Sequence, residues 1–129
     1  MVRRAPSYLA SLAGVPGEIW HPALDGILSS LFYVNLVSFL DETFKFAIPE
    51  KTFPPPDKDD LFNRIERLKS LLADPHKCHT LRIRRNEISH QTRVYANWQE
   101  LDEAINVVEA ELQRLGYAGE RPVLIYSWD

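Results

Sequence analysis

Between Gly26 and Leu40 the chain runs for 15 residues without a charge, and this stretch limits the possible folds more than any other. Leu24, Ile27, Leu28, Leu31, Val34 and Phe39 recur at near-helical spacing to about Phe46, with further apolar residues between them. A helix that is apolar on more than one side must be surrounded by other elements. The run contains Ser29, Ser30, Asn35 and Ser38 and is shorter than the roughly 20 residues that a bilayer span needs. It therefore predicts the central helix of a bundle, not a membrane anchor.

Prolines and caps divide the rest. His21-Pro22 opens the central helix, because proline is tolerated in a first helical turn. Pro49 and the Pro54-Pro55-Pro56 run close it and form a stiff connection. Asp57 or Asp59 is placed to cap a second helix, on which Leu61, Ile65, Leu68 and Leu72 make one apolar stripe. Asp74-Pro75 stops that helix and caps a third, since the residue before proline avoids helical geometry while proline suits the first turn. The third helix is expected to reach about Gln91 or Thr92. Asn97, with Glu100 three residues later, reads as a variant capping box. The last helix turns Leu101, Ile105, Val108 and Leu112 inward and stops at Gly116. The expectation is all-α: one domain over residues 1–129, an antiparallel four- to five-helix bundle with short loops. A fifth helix near Ser7 to Ala13 is allowed, and the strand-like tail from Arg121 to Trp128 is expected to pack as an extended arm.

The single cysteine, Cys78, cannot form an internal disulfide, which favours the cytoplasm. The basic start Met1-Val2-Arg3-Arg4 is followed by Pro6 and Ser7 and not by an apolar core, so no signal peptide is expected. The net charge of −3 argues against a broad nucleic-acid-coating surface, but the charge is unevenly spread. From His76 to Arg93 five bases (Lys77, Arg82, Arg84, Arg85 and Arg93) stand against Glu87 alone, whereas Asn97 to Gly116 holds five acids against Arg114. A short basic strip suits a small contact with phosphate.

Within that strip, Arg85-Asn86 is followed by His90 on the third helix. Arginine can neutralise a phosphorane and histidine can move protons near neutral pH. At 100° per residue, Arg85 lies about 40° from Leu81, Ser89 about 80°, Arg82 about 100°, Asn86 about 140° and His90 about 180°. Ile88 joins Leu81 on the buried stripe, and the polar residues form one arc beside it. Arg85 and His90 flank this arc about 140° apart, so one helix cannot bring both onto a single phosphate, whereas two facing copies can. Arg84 has the spacing to His90 but lies outside the arc and lacks the asparagine after it.

The Arg85-Asn86-x3-His90 pattern, on the third main helix of a helical bundle, resembles the signature of the HEPN superfamily: arginine, a polar residue, and histidine after four to six positions. The resemblance implies a homodimer whose interface forms a metal-independent endoribonuclease site. His90 would assist proton transfer, Arg85 would bind the scissile phosphate, and Asn86 would orient one or the other. Arg82, Arg84, Ser89 and Arg93 would contact RNA. No cofactor and no metal is expected. Members of the superfamily act as toxins beside an antitoxin, as phage-defence ribonucleases, or as silent partners of nucleotidyltransferases. Thr92 stands where some family toxins carry a tyrosine, two residues after the histidine. The alternatives are a catalytically silent binding module and a plain helical adaptor whose Arg, Asn and His are solvated or paired with the acidic last helix.

Other groupings carry less. His76 and His79, one turn apart beside Cys78, lack further ligands for zinc, and Cys78 is expected at the core edge. Trp20, Tyr33, Trp98 and Trp128 are expected as core or rim aromatics, and the acids of the last helix as a solvated face.

Overall fold

A computed structural model describes residues 22–117 as four helices: α1 (Pro22–Glu50), α2 (Leu61–Leu68), α3 (Pro75–His90) and α4 (Trp98–Arg114). No strand occurs among the described residues. The possible helix near Ser7 and the C-terminal arm lie outside them, as do Trp20 and Trp128.

Helix α1 is the central element, as its uncharged run requires, and it packs against each of the other three. Tyr33, Leu36, Val37, Leu40, Phe44, Ala47 and Ile48 are buried along one side of it. Its length and mean hydropathy also reach those of a membrane span from Asp25 to Glu50. These buried side chains nevertheless form the shared core with Ile65 and Leu68 of α2, Cys78 and Leu81 of α3, and Leu101, Val108 and Leu112 of α4. Two serines of the run have a specific task. Ser29 donates to the Ala96 carbonyl and Ser30 accepts from the Ala96 N–H at 2.8 Å. The α3–α4 connection is thus bonded in both directions to the middle of an apolar helix.

Helices α1 and α4 end in the same way. After α1, Phe53 N–H donates to the Ile48 carbonyl and Thr52 N–H to that of Pro49, the two bonds of a Schellman motif. After α4, Tyr117 and Gly116 donate to Leu112 and Gln113 in the same way. The motif needs a left-handed residue. Gly116 supplies it without strain at φ 89°, whereas Thr52 adopts φ 63° despite its β-branch.

The bundle departs from the expected antiparallel order. Trp98 bonds Asp25 at one end of the molecule and Tyr117 bonds Glu50 at the other, so α4 runs parallel to α1. Helix α3 opposes α4, since Arg84 meets Glu100 while Cys78 meets Glu111. Helix α2 also opposes α3, because Phe62 lies against Arg82 and Glu66 against His79. Helices α1, α2 and α4 therefore share one direction and α3 alone reverses. The cause is the connection over residues 51–60. Extended polyproline geometry covers about 3.1 Å per residue, enough to carry the chain back along α1 before α2 begins. Arg67 holds this return strap by donating to the Pro55 carbonyl at 3.2 Å.

Three capping details also differ from expectation. Asp60, and neither Asp57 nor Asp59, caps α2, accepting the Asn63 N–H at 2.9 Å. Asp59 instead joins Asp41 of α1 in pairing with Arg64, which is buried. Asn97 does cap α4 by accepting the Glu100 N–H at 2.7 Å, but the Glu100 carboxylate turns away to Arg84, so only half of the capping box forms. Asp74 caps α3 with Pro75 in its first turn, as the sequence predicts.

Candidate functional site

Helix α3 has 16 residues and α2 has eight; at 1.5 Å per residue these are about 24 and 12 Å long. Phe62, the second residue of α2, sits over the Arg82 guanidinium at 5.1 Å. Helix α2 therefore begins level with Arg82, and the last two turns of α3 extend beyond it.

The two edges of the resulting open groove follow from helix periodicity. Residues seven apart share a face. On α1, Asp41 faces α2 through Arg64, so Val34 and Ile27 continue the same stripe past the end of α2. Ile27 is 40% exposed and Val34 half-buried. On α3, His79 and Arg82 face α2, so Asn86 and Ser89 continue that stripe, and both are exposed. Arg85 shares the inner stripe of Cys78 and Leu81 and is half-buried. His90, the last residue of α3, is exposed at the outer edge.

The side chains of Arg85, Asn86, Ser89 and His90 form no hydrogen bond or ion pair with another described residue. Half-buried Arg85 is thus a cation with no carboxylate paired to it among the described residues. Arg93 is exposed in the loop after α3, in left-handed backbone at φ 65°. Arg82 is partly committed, stacked on Phe62 and donating from Nε to His79 Nδ1 at 3.3 Å.

Arg84 occupies a different environment. Its Nε donates to Glu100 at 2.5 Å, one terminal nitrogen donates to Glu87 at 3.1 Å, and the other to the Tyr95 carbonyl at 3.0 Å. It clamps α3, α4 and their connection together, and a phosphate could bind it only by displacing those partners. The charge pattern alone could not separate Arg84 from Arg85. The helical wheel did, by placing Arg84 outside the arc.

Sequence reasoning missed Glu111. It is 1% exposed and accepts the backbone N–H groups of Ala73 at 2.7 Å and Asp74 at 2.9 Å, with the Cys78 thiol at 3.4 Å. Instead of facing solvent, this acid of α4 ties down the start of α3. The only sequence sign was its place between Val108 and Leu112 on the inner side. Cys78 is fully buried, and burial, followed by the Glu111 carboxylate, pushes its thiol far above the usual range. It is core and no nucleophile. His79 is turned to Glu66 at 2.8 Å, and no group of three metal-ligating side chains occurs among the described residues.

On the α4 side of α3 lies a separate cleft of about 880 Å³. Of the residues predicted to act on RNA, only Arg84 lines it.

Comparison with known proteins finds no matching family, no matching curated protein and no matching solved structure.

Proposed function

We propose that this protein is a metal-independent endoribonuclease of HEPN type, acting as a two-fold dimer in the cytoplasm, where a toxin or phage-defence role would place it. The observation that supports this reading is the condition of Arg85. It is a half-buried cation without an ion pair among the described residues, in a groove with a polar edge at Asn86 and Ser89 and with His90 at the end of the same helix. Neighbouring Arg84, one residue earlier, is fully paired. The proposed site has thus kept one arginine free where ordinary surface electrostatics pairs the other.

Within one chain, Arg85 and His90 are separated by about 140° around the helix and about 7.5 Å along it. A second copy related by a two-fold axis would bring the Arg85 of one chain toward the His90 of the other. In the reaction, a ribose 2′-oxygen attacks the adjacent phosphorus as the bond to the 5′-oxygen breaks. One His90 takes the 2′-hydroxyl proton and its symmetry mate protonates the departing oxygen. Arg85 neutralises the charge that builds on the phosphoryl oxygens. Asn86 orients the reacting groups, while Arg82, Ser89 and Arg93 hold neighbouring phosphates. Arg84 acts on RNA only indirectly, by fixing α3.

His90→Ala and Arg85→Ala should each lower RNA cleavage about 100- to 10,000-fold while helix content and dimerisation persist. Cleavage should survive EDTA, leave 2′,3′-cyclic phosphate ends and spare DNA. Activity that survives His90→Ala refutes the site.

A second reading has its own support. Ile27, Leu31, Phe39 and Phe46 of α1 are exposed, large apolar side chains interspersed with Asn35, Ser38 and Glu42 on a side that a protein partner could cover. On this reading the bundle is a silent module that pairs with an antitoxin or nucleotidyltransferase. Wild-type protein free of partner and inactive on several RNAs would favour it.

A further inference from the structure

The cleft between α3 and α4 has a polar group at its floor that no described residue bonds. Tyr33 of α1 is 2% exposed and lines the cleft. Its hydroxyl forms no hydrogen bond with any described residue, and it is not among the fully enclosed polar atoms that lack a partner, so the oxygen opens into the cleft. Burial first, and then the nearby Glu100 carboxylate, keep this phenol protonated far above neutral pH, with Arg84 opposing. Its oxygen can therefore accept a hydrogen bond, and its proton can be donated in another.

The walls are apolar, formed by Leu81 and Ile83 of α3 and by Ala104 and Val107 of α4. The charged lining is five carboxylates against Lys77 and Arg84. Arg84 already neutralises Glu87 and Glu100, and Glu111 is held by backbone N–H groups. Glu103 at the rim is exposed and has no ion pair among the described residues. A volume near 880 Å³ falls in the range that encloses small organic ligands, about 300 to 1,000 Å³. Lys77, like Glu103, is without an ion pair among the described residues, but carboxylates outnumber cations five to two in the lining, so an anion would meet net negative charge. A purely apolar molecule would leave the Tyr33 hydroxyl unpaired. A molecule with an apolar body and one ammonium group satisfies both the walls and the charges.

We propose that the α3–α4 cleft is a binding site for a small amphiphilic amine, whose apolar body lies against Ile83 and Val107 while its ammonium donates to the Tyr33 hydroxyl oxygen and is attracted by Glu103. The site lies on the opposite flank of α3 from Asn86 and Ser89 and does not depend on the ribonuclease reading.

The test uses the full chain and three probes that share one skeleton: 4-phenylbutylamine, 4-phenylbutanol and 4-phenylbutyrate. Binding is followed by methyl NMR titration and calorimetry at low salt. The amine should saturate a single site, with shifts centred on the Leu81, Ile83 and Val107 methyls, and bind at least about tenfold more tightly than the carboxylate. Glu103→Gln should weaken the amine several-fold and leave the alcohol unchanged, an effect that added salt reproduces. Tyr33→Phe conserves the ring and its packing, and should weaken the amine while the protein stays folded. The proposal is overturned if the amine does not saturate, binds no better than the carboxylate, shifts methyls elsewhere, or keeps its affinity in Tyr33→Phe.

Discussion

Glu111 offers the most direct test of how this bundle is held together, because one buried carboxylate bonds to the chain between α2 and α3. Truncation in Glu111→Ala removes the acceptor of the Ala73 and Asp74 N–H groups and of the Cys78 thiol. Hydrogen bonds to a charged group contribute about 1.5–3 kcal/mol each. Ala73 is exposed and Asp74 half-buried, and Glu111 borders the α3–α4 cleft, so water can replace part of what is lost. That moves each backbone bond to the low end of the range and gives a total of about 3 kcal/mol for the alanine variant. Glu111→Gln keeps the volume and one oxygen but presents an NH₂ group to a donor, losing one bond and the charge assistance of the other. About 1.5–2 kcal/mol is expected. Urea unfolding followed by far-ultraviolet circular dichroism measures both. The order should be wild type, Gln, Ala, with unchanged dependence on urea concentration. If both variants fall within about 0.5 kcal/mol of wild type, Glu111 is not the tie described. If Gln is as damaging as Ala, the charged hydrogen bonds of the carboxylate matter and the volume that Gln retains does not.

Thr52→Gly should stabilise the protein by about 0.5–1 kcal/mol, because it relieves left-handed strain at the end of α1. Gly116→Ala should destabilise it by about 1 kcal/mol, and paired thermal melts check both signs. Cys78 should resist a thiol-specific aromatic disulfide reagent in the native protein and react only on unfolding, since burial disfavours its thiolate; stoichiometric native labelling within minutes would contradict its place in the core. The Glu66 carboxyl is held below its ordinary value of 4.5, first by the hydrogen bond with His79 and then by Lys69. A lowered acid contributes stability that is present above its unfolded value and lost as pH falls through the folded one. The effect therefore belongs below pH 4.5, and His79→Gln should return the Glu66 carboxyl toward that value in a carbon-detected NMR titration.

Much of the helical layout could be read from local chemistry. Asp74-Pro75, Asn97 and Gly116 act within a turn of their own position, and each falls where the sequence places it. The uncharged run around Leu36 likewise predicted the helix against which the other three pack, but only one side of it is buried, and Ile27, Leu31, Phe39 and Phe46 stay exposed where burial on several sides was expected. Helix direction was not legible. Short-loop reasoning assumes that consecutive helices double back, whereas the strap through Pro54–Pro56 returns the chain to start α2 alongside α1. Nor could charge pattern tell partnered groups from free ones. Glu100 and Glu111 both read as members of a solvated acidic face, yet one closes on Arg84 and the other is buried against backbone N–H groups. The candidate site residues were proposed from the Arg85-Asn86-x3-His90 pattern and grouped by their arc on α3. That this arc opens into a groove depends on where α2 starts, which is a tertiary fact.

The unequal lengths of α2 and α3 give the described bundle a thick end and a thin end. Toward the C-termini of α1 and α4, four helices surround the core, and Arg64 and Glu111 fasten them to one another. Toward the N-terminus of α1, three of the described helices remain, fastened by Ser29 and Ser30 to Ala96 and by Trp98 to Asp25. Opening free energies in a folded protein track local packing and protection from solvent. Amide exchange should therefore run in a gradient, slow at Ile65, Leu68 and Leu112 and faster toward Ser89 and His90. The thin end is also where Arg85 and His90 lie, so a partner chain or an RNA could reshape this region at the least expense to the rest of the core.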